Sequence, residues 1–257
     1  MELENYFWSP QAKLFQPPKE QLLLPDHANC LFMQTYLTMC GLKFEIVHRH
    51  NVEHMSPTER IPFLVCENRI ISENDALIGY VESIGESLTH NLEFKHKQDL
   101  QAYMSLVRTT LENAELYLTW YHHDFYKNFT WTKYSLPYPW PLNYVLTYSK
   151  RKRIIKRLAQ MQWRNKTIEQ VYEDVENCFK SLSALLGRNN YLIGNQPTEI
   201  DALVFAHVHA ALGNSLVADK YCEILVKYQN IVEHYKLVGS RFRFSTKKYM
   251  GEAGDCR

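Results

Sequence analysis

No stretch of the chain approaches the roughly 18 continuous apolar residues that a membrane-crossing helix needs. The richest candidate, residues 202–212, is short and carries His207 and His209. The N-terminus, Met1-Glu2-Leu3-Glu4, has no basic segment ahead of an apolar run. That argues against a secretory signal or an Arg-rich transit peptide. An excess of charge of one sign is also missing: 29 Lys and Arg face 28 Asp and Glu, a net charge of +1. Nucleic acid is therefore not expected as a partner through overall charge. The six cysteines, Cys30, Cys40, Cys66, Cys178, Cys222 and Cys256, form no C-x-x-C pair and no zinc-finger spacing with histidine. They are expected to be free thiols in a reducing compartment, Cys256 exposed in a polar tail and the other five buried as small apolar side chains. With 9 Gly and 10 Pro the chain is neither collagen-like nor low in complexity. What remains is a globular composition, 46% hydrophobic and 22% charged, long enough for one large domain or two small ones and expected to be soluble and intracellular.

The first half alternates short strands with helices. Residues 12–16 read as a strand stopped by Pro17-Pro18, and a loop is expected to residue 29. Residues 30–39 read as a helix closed by Gly41, which suits the left-handed position past a helix end. Residues 44–48 are a second strand. Residues 63–66 and 69–72 form a hairpin across Glu67-Asn68, and 74–84 a helix with Ala76, Leu77, Tyr80, Val81 and Ile84 on one face. This order, β-α-β then β-β-α, is thioredoxin-like. Residues 86–97 are polar and read as a linker.

Beyond it the pattern is helical. Leu100, Tyr103, Met104, Val107, Leu111, Ala114 and Leu118 make one apolar stripe, and Ile168 to Leu186 a second. Helices are expected over 198–212 and 220–237. The predicted organisation is an α/β thioredoxin-like domain over residues 1–88, an all-helical domain over 89–240 and a mobile tail over 241–257 containing Arg241, Arg243, Lys247 and Lys248.

Ile61-Pro62-Phe63 precedes a strand. Its X-Pro bond suits either the cis turn that presents backbone to a ligand in thioredoxin-like folds or a simple strand start. Thr198-Glu199-Ile200-Asp201 has capping-box spacing, a folding device contributing about 1 kcal/mol. With Tyr191-Leu192-Ile193-Gly194-Asn195-Gln196-Pro197 before it, it resembles the capping motif of the glutathione-transferase fold. In that fold a Tyr, Ser or Cys near the first strand or helix activates the thiol. Here His27-Ala28 stands where many such enzymes have Ser-Pro, the first strand ends in Phe15-Gln16-Pro17, and Glu73-Asn74 replaces the usual Glu-Ser pair. A glutathione-dependent transferase with an unusual nucleophile, such as Cys30, remains the alternative reading.

Three clusters stand apart. His48, Arg49, His50 and His54 lack an evident third metal ligand and read as surface residues. Lys150-Arg151-Lys152-Arg153-Ile154-Ile155-Lys156-Arg157 packs six basic residues into eight. It reads as a solvated face balanced by Glu169, Glu173 and Asp174, as a surface for an anionic membrane or acidic partner, or as a nucleic-acid or nuclear-targeting run. Trp131 to Asn143 alternates prolines with aromatics and is expected to be a stiff loop, neither helix nor central strand, whose rings are buried or anchor a partner.

Ser135-Leu136-Pro137-Tyr138-Pro139-Trp140-Pro141-Leu142-Asn143 resembles a segment of the metaxins, of the second subtype. Met55-Ser56-Pro57, Ala114-Glu115-Leu116-Tyr117-Leu118 and Gln196-Pro197-Thr198-Glu199-Ile200-Asp201-Ala202-Leu203-Val204-Phe205 are similar to that family as well. The resemblance implies a transferase-fold protein without catalytic residues, cofactor or metal. It implies a peripheral position on the cytosolic face of the mitochondrial outer membrane, held by an anchored metaxin of the first subtype. It further implies a part in the machinery that assembles β-barrel proteins, with a β-barrel assembly subunit as a partner, and links to kinesin and mitochondrial transport adaptors. Tyr138, Trp140, Lys150, Arg151, Lys152, Arg153, Lys156 and Arg157 are the expected interface. Pro62, Thr198 and Asp201 are expected to be structural.

Overall fold

The computed structural model describes residues 7–90 and 92–244. Its N-terminal region is a four-stranded sheet made of β1 (Lys13–Gln16), β2 (Glu45–His48), β3 (Phe63–Cys66) and β4 (Arg69–Ile71), in the order β2-β1-β3-β4. β1 runs parallel to β2 and antiparallel to β3, and β3 pairs antiparallel with β4. Alternation along the strands divides two apolar faces. Leu14, Leu64 and Cys66 enter the main core. Phe15, Phe63 and Val65 meet Val52 and Ile61 on the other side, the two Phe rings stacked 4.9 Å apart. The Ile61-Pro62 bond is cis, the first of the two readings of that motif, and Trp140-Pro141 is cis as well.

α1 (Leu24–Met39) begins six residues before the expected start, so the last six residues of the loop read over 17–29 are helical. Pro25 sits in the first turn, where its missing N–H costs nothing, and Asp26 favours the positive end of the helix. Gly41, at φ 72°, supplies the left-handed residue after it. The short α2 (Val52–Met55) and α3 (Asn74–Ser83) complete the thioredoxin-like region.

The helical region opens at Phe94, four residues inside the expected linker. α4 (Phe94–Val107) continues through a π-helical turn (Arg108–Glu112) into α5 (Asn113–Leu116) and a second π turn (Tyr117–Tyr121). Side chains bonding back to the preceding turn accompany these widenings: Thr109 Oγ1 donates to Ser105 O at 2.8 Å, and Thr119 Oγ1 to Glu115 O at 2.7 Å. α6 (His123–Phe125), a third π turn (Tyr126–Thr130) and α7 (Trp131–Ser135) follow. The aromatic–proline segment is thus helical in its first five residues, contrary to expectation. Its prolines, Pro137, Pro139 and Pro141, all come after α7, and Pro141 caps the start of α8 (Leu142–Gln160). α9 (Ile168–Leu186) begins with a capping box in which the Thr167 N–H donates to Gln170 Oε1 at 3.0 Å. α10 (Glu199–Leu212), α11 (Ala218–Leu225) and α12 (Gln229–Arg241) end the fold. The single helix read over 220–237 is two, broken at residues 226–228.

Every residue of α10 is buried, and α1 lies along it. One apolar core therefore runs from the sheet into the helices. Asp201 holds α10 in place. Its carboxylate accepts from the Leu192 N–H, the Thr198 N–H and the Thr198 hydroxyl, each at 2.8 Å, and lies 2.8 Å from His234 Nε2. The capping box read at Thr198 is present, and Asp201 also braces the preceding loop and α12. Cys30, Cys66 and Cys178 are buried free thiols and Cys40 a half-buried one. Cys222 corrects the expectation for that set: it is disulfide-bonded. Cys256 and most of the tail read over 241–257, including Lys247 and Lys248, lie outside the described residues.

Candidate functional site

A cleft of about 440 Å³ opens between the sheet region and α8. Its walls are the first turn of α1, the segment from α2 to the cis-Pro62 turn, the start of α3, and the side of α8 that carries Lys150, Arg153 and Arg157. Helical periodicity explains that side. Positions 150, 153 and 157 follow i, i+3, i+7 and share one stripe, while Lys152 and Lys156 fall outside it.

The six-residue basic run is therefore split. Lys150 is nearly buried and inserts its ammonium between carboxylates, 2.9 Å from Glu53 Oε2 and 3.8 Å from Asp26. It also lies 4.7 Å from the centre of the Tyr134 ring and 5.5 Å from that of Trp120. Burial alone would lower its pKa, but Asp26 and Glu53 together outweigh burial and hold it above the usual lysine value. Asp26 is raised by burial, with Lys150 opposing. Glu53 also accepts from the Tyr134 hydroxyl at 3.0 Å, and Arg153 stands 3.6 Å from its other oxygen. Arg153 further pairs with Glu59, and Arg157 with Glu112 at 2.9 Å. Arg151 donates to the Trp120 carbonyl at 3.1 Å and lies over the Tyr126 ring at 3.7 Å. The partners expected from the sequence, Glu169, Glu173 and Asp174, are not the ones that balance this run. Asp174 pairs with Lys166 instead.

Of the transferase positions, Glu73 and Asn74 line this cleft, whereas His27 lines a separate pocket with Lys19, Phe129 and Lys133 and Cys30 is buried. The Cys30 thiol is buried, and burial with the nearby Asp26 charge pushes its pKa well above the ordinary value. A thiol held protonated is a poor nucleophile. The His27 pKa is lowered to about 4, first by burial and then by His209 and the lysines around it. Asn74, at the start of α3, donates its amide to Asn29 Oδ1 at 3.1 Å. The histidines read as surface residues are placed separately: His48 Nδ1 is 3.2 Å from Pro17 O, and His54 meets the Tyr138 ring edge-on. Among the described residues no group of three His, Cys, Asp or Glu is arranged to hold a metal ion.

The two aromatics of the proline loop part company. Tyr138 is half-buried between His54 and Tyr134, and Trp140 is 79% exposed. Tyr144, Val145 and Tyr148 on α8 are exposed as well and were missed. Their signal was legible: residues 142–148 are apolar around more of the helix than one buried stripe requires.

A family model described as "Outer mitochondrial membrane transport complex protein" matches residues 30–151, and one for the "Glutathione S-transferase, C-terminal domain" matches 175–238. Metaxin-2 of Homo sapiens is 40% identical over 226 residues, covering 88% of this chain and 86% of that protein. The chain belongs to the metaxin family. The Metaxin-2 homolog of Caenorhabditis elegans is 36% identical over 202 residues, 78% of this chain and 88% of its own. The fold matches glutathione transferase F7 from Populus trichocarpa at a TM-score of 0.58 over 91% of this chain and 95% of that one, with 14% identity, a likeness of fold alone. The outer-membrane transport family model, over residues 30–151, takes in Glu53, Lys150 and the proline loop together. No helix among the described residues is long and apolar enough to cross a membrane.

Proposed function

We propose that this metaxin is a non-catalytic subunit of the transport complex of the outer mitochondrial membrane. It sits peripherally on the cytosolic face, held by an anchored metaxin of the first subtype, and works with a β-barrel assembly subunit. The sheet region up to about residue 88 and the helical region after it act as one scaffold. The observation that carries this reading is the clasp in the cleft. In the cleft between the two regions Lys150 is locked to Glu53 and Asp26, and the Cys30 thiol is buried and held protonated rather than activated. A ligand entering there would have to separate buried charges, which costs several kcal/mol per ion. Of the expected interface, Trp140, Lys152 and Lys156 are exposed and free to meet a partner, Trp140 as its aromatic anchor. Tyr138, Lys150, Arg151, Arg153 and Arg157 are engaged within the chain, and service as a mitochondrial transport adaptor would draw on the same exposed surface.

Calorimetry with millimolar glutathione tests the non-catalytic half of the reading. No saturable heat is expected. Saturable binding that perturbs His27 or Cys30 would restore the transferase alternative. Co-purification with an anchored metaxin tests the other half, and its absence would remove the scaffold reading.

A further inference from the structure

The chain's near-neutral charge hides a sharp segregation. Residues 125–168, 44 in all, contain ten Lys or Arg and no Asp or Glu. The remaining 213 residues carry 19 basic against 28 acidic side chains, a net charge of −9. Four of the ten basic residues, Lys150, Arg153, Arg157 and Lys166, are ion-paired with acids from elsewhere in the chain. Lys127, Lys152 and Lys156 are exposed and make no ion pair among the described residues.

These free lysines share a face with exposed rings. At about 100° per residue, Tyr144, Tyr148, Lys152, Val145 and Lys156 fall within an arc of about 120° on the outer side of α8. Tyr148 is 68% exposed, Val145 59% and Tyr144 56%. Tyr144 packs 4.8 Å from Trp131, which forms an open apolar groove with Tyr126 and Tyr148, with Lys127 at its rim. The helix is thus the reverse of an ordinary surface helix. Its ion-paired stripe faces the protein and its aromatic stripe faces outward.

We propose that this outer face of α8 docks directly on an anionic phospholipid surface. Tyr and Trp are the side chains that settle at the level of lipid headgroups, with an apolar body and a polar tip. Lysines beside them reach the negative headgroups while their methylene stems cover apolar surface. An apolar protein groove would bury Lys152 and Lys156 without counter-charge, whereas a negative lipid surface supplies it along the whole stripe. The inference rests on the outer-membrane reading above and adds a contact that the anchored partner does not make.

Sedimentation of the purified full chain, alone, with phosphatidylcholine vesicles with and without phosphatidylserine tests it. The chain should pellet with the anionic vesicles, weakly or not at all with the neutral ones, and less as salt rises. Lys152→Glu with Lys156→Glu should lower the vesicle affinity by at least about 30-fold, at about fivefold per lysine, with an unchanged melting temperature. Tyr148→Ser, at the most exposed ring on α8, should lower it severalfold. Absence of binding by the unaltered chain, equal binding to neutral vesicles, or unchanged binding by both variants would overturn the proposal. So would variants that keep vesicle binding but lose the anchored metaxin, because the face would then be a protein interface. Co-purification with that partner requires no vesicle, so a failure of lipid docking leaves the scaffold reading standing and is told apart from it.

Discussion

Lys150 and Glu53 lie 97 residues apart in sequence and 2.9 Å apart in space, nearly buried at the junction of α8 with the sheet region. A pair like this adds little net stability compared with apolar groups of the same shape. Removing one member is different, because it strands the other charge. Lys150→Met should therefore cost about 3–5 kcal/mol in urea unfolding. Glu53→Gln added to it should restore part of that loss. Strict additivity of the two would show that they do not interact. Lys152→Met, on the outer side of the same helix, should change stability by less than about 0.5 kcal/mol.

Asp201 supports four groups at once, so its removal should exceed any ordinary capping loss. Thr198→Ala is expected to cost about 1 kcal/mol. Asp201→Ala leaves two backbone N–H groups, a hydroxyl and His234 without their acceptor. At about 1–3 kcal/mol for each unsatisfied buried group, it should be far more damaging and leave little folded protein. Equal losses at the two positions would reduce Asp201 to a local cap.

Acid should weaken the fold early. His27 and His209 have pKa values lowered to about 4 by burial, against 6.5 when free. Both are neutral in the folded chain across that interval, while the unfolded chain takes up their protons. Stability attributable to them is complete above about pH 6.5 and is lost as pH falls toward 4. Melting temperature should begin to drop below about pH 6.5. A flat profile down to pH 5 would show these rings are not desolvated in solution.

Under the scaffold reading, Tyr138 and Trp140 separate packing from recognition within three residues. Tyr138→Ala removes a ring lodged between His54 and Tyr134 and should lower stability by about 1–3 kcal/mol. Trp140→Ala removes an exposed ring. It should leave unfolding within about 0.5 kcal/mol of the parent while weakening capture of an anchored metaxin at least tenfold, as the loss of an anchor side chain does. An unaltered affinity would assign the loop to folding alone.

The strands were legible because alternation and turn residues are local. β3 and β4 were read with Glu67-Asn68 between them, and every strand boundary fell within one residue of the structure. The start of α1 was not, because residues 17–29 read as loop, although Pro25 is a first-turn residue of the helix. The cleft was legible only by half. The sequence shows six basic residues as one feature, and only helical rotation sends Lys150 inward and Lys152 outward. Glu53 carried no mark at all. It is an ordinary acid in the short α2, and its importance comes from a long-range contact that no local pattern encodes. The π turns were hidden for a related reason, since the apolar stripe from Leu100 to Leu118 continues through them.

The continuous core along α1 and α10, closed on one side by the Lys150 clasp, fixes the angle between the sheet and the helices. In an enzyme of this shape the seam is where substrates come and go. In this chain Lys150 ties the two sides of the seam together, and under the scaffold reading the molecule is a bracket. Whatever rests against its sheet and whatever rests against α8 are held at a set distance and orientation, so that moving one moves the other.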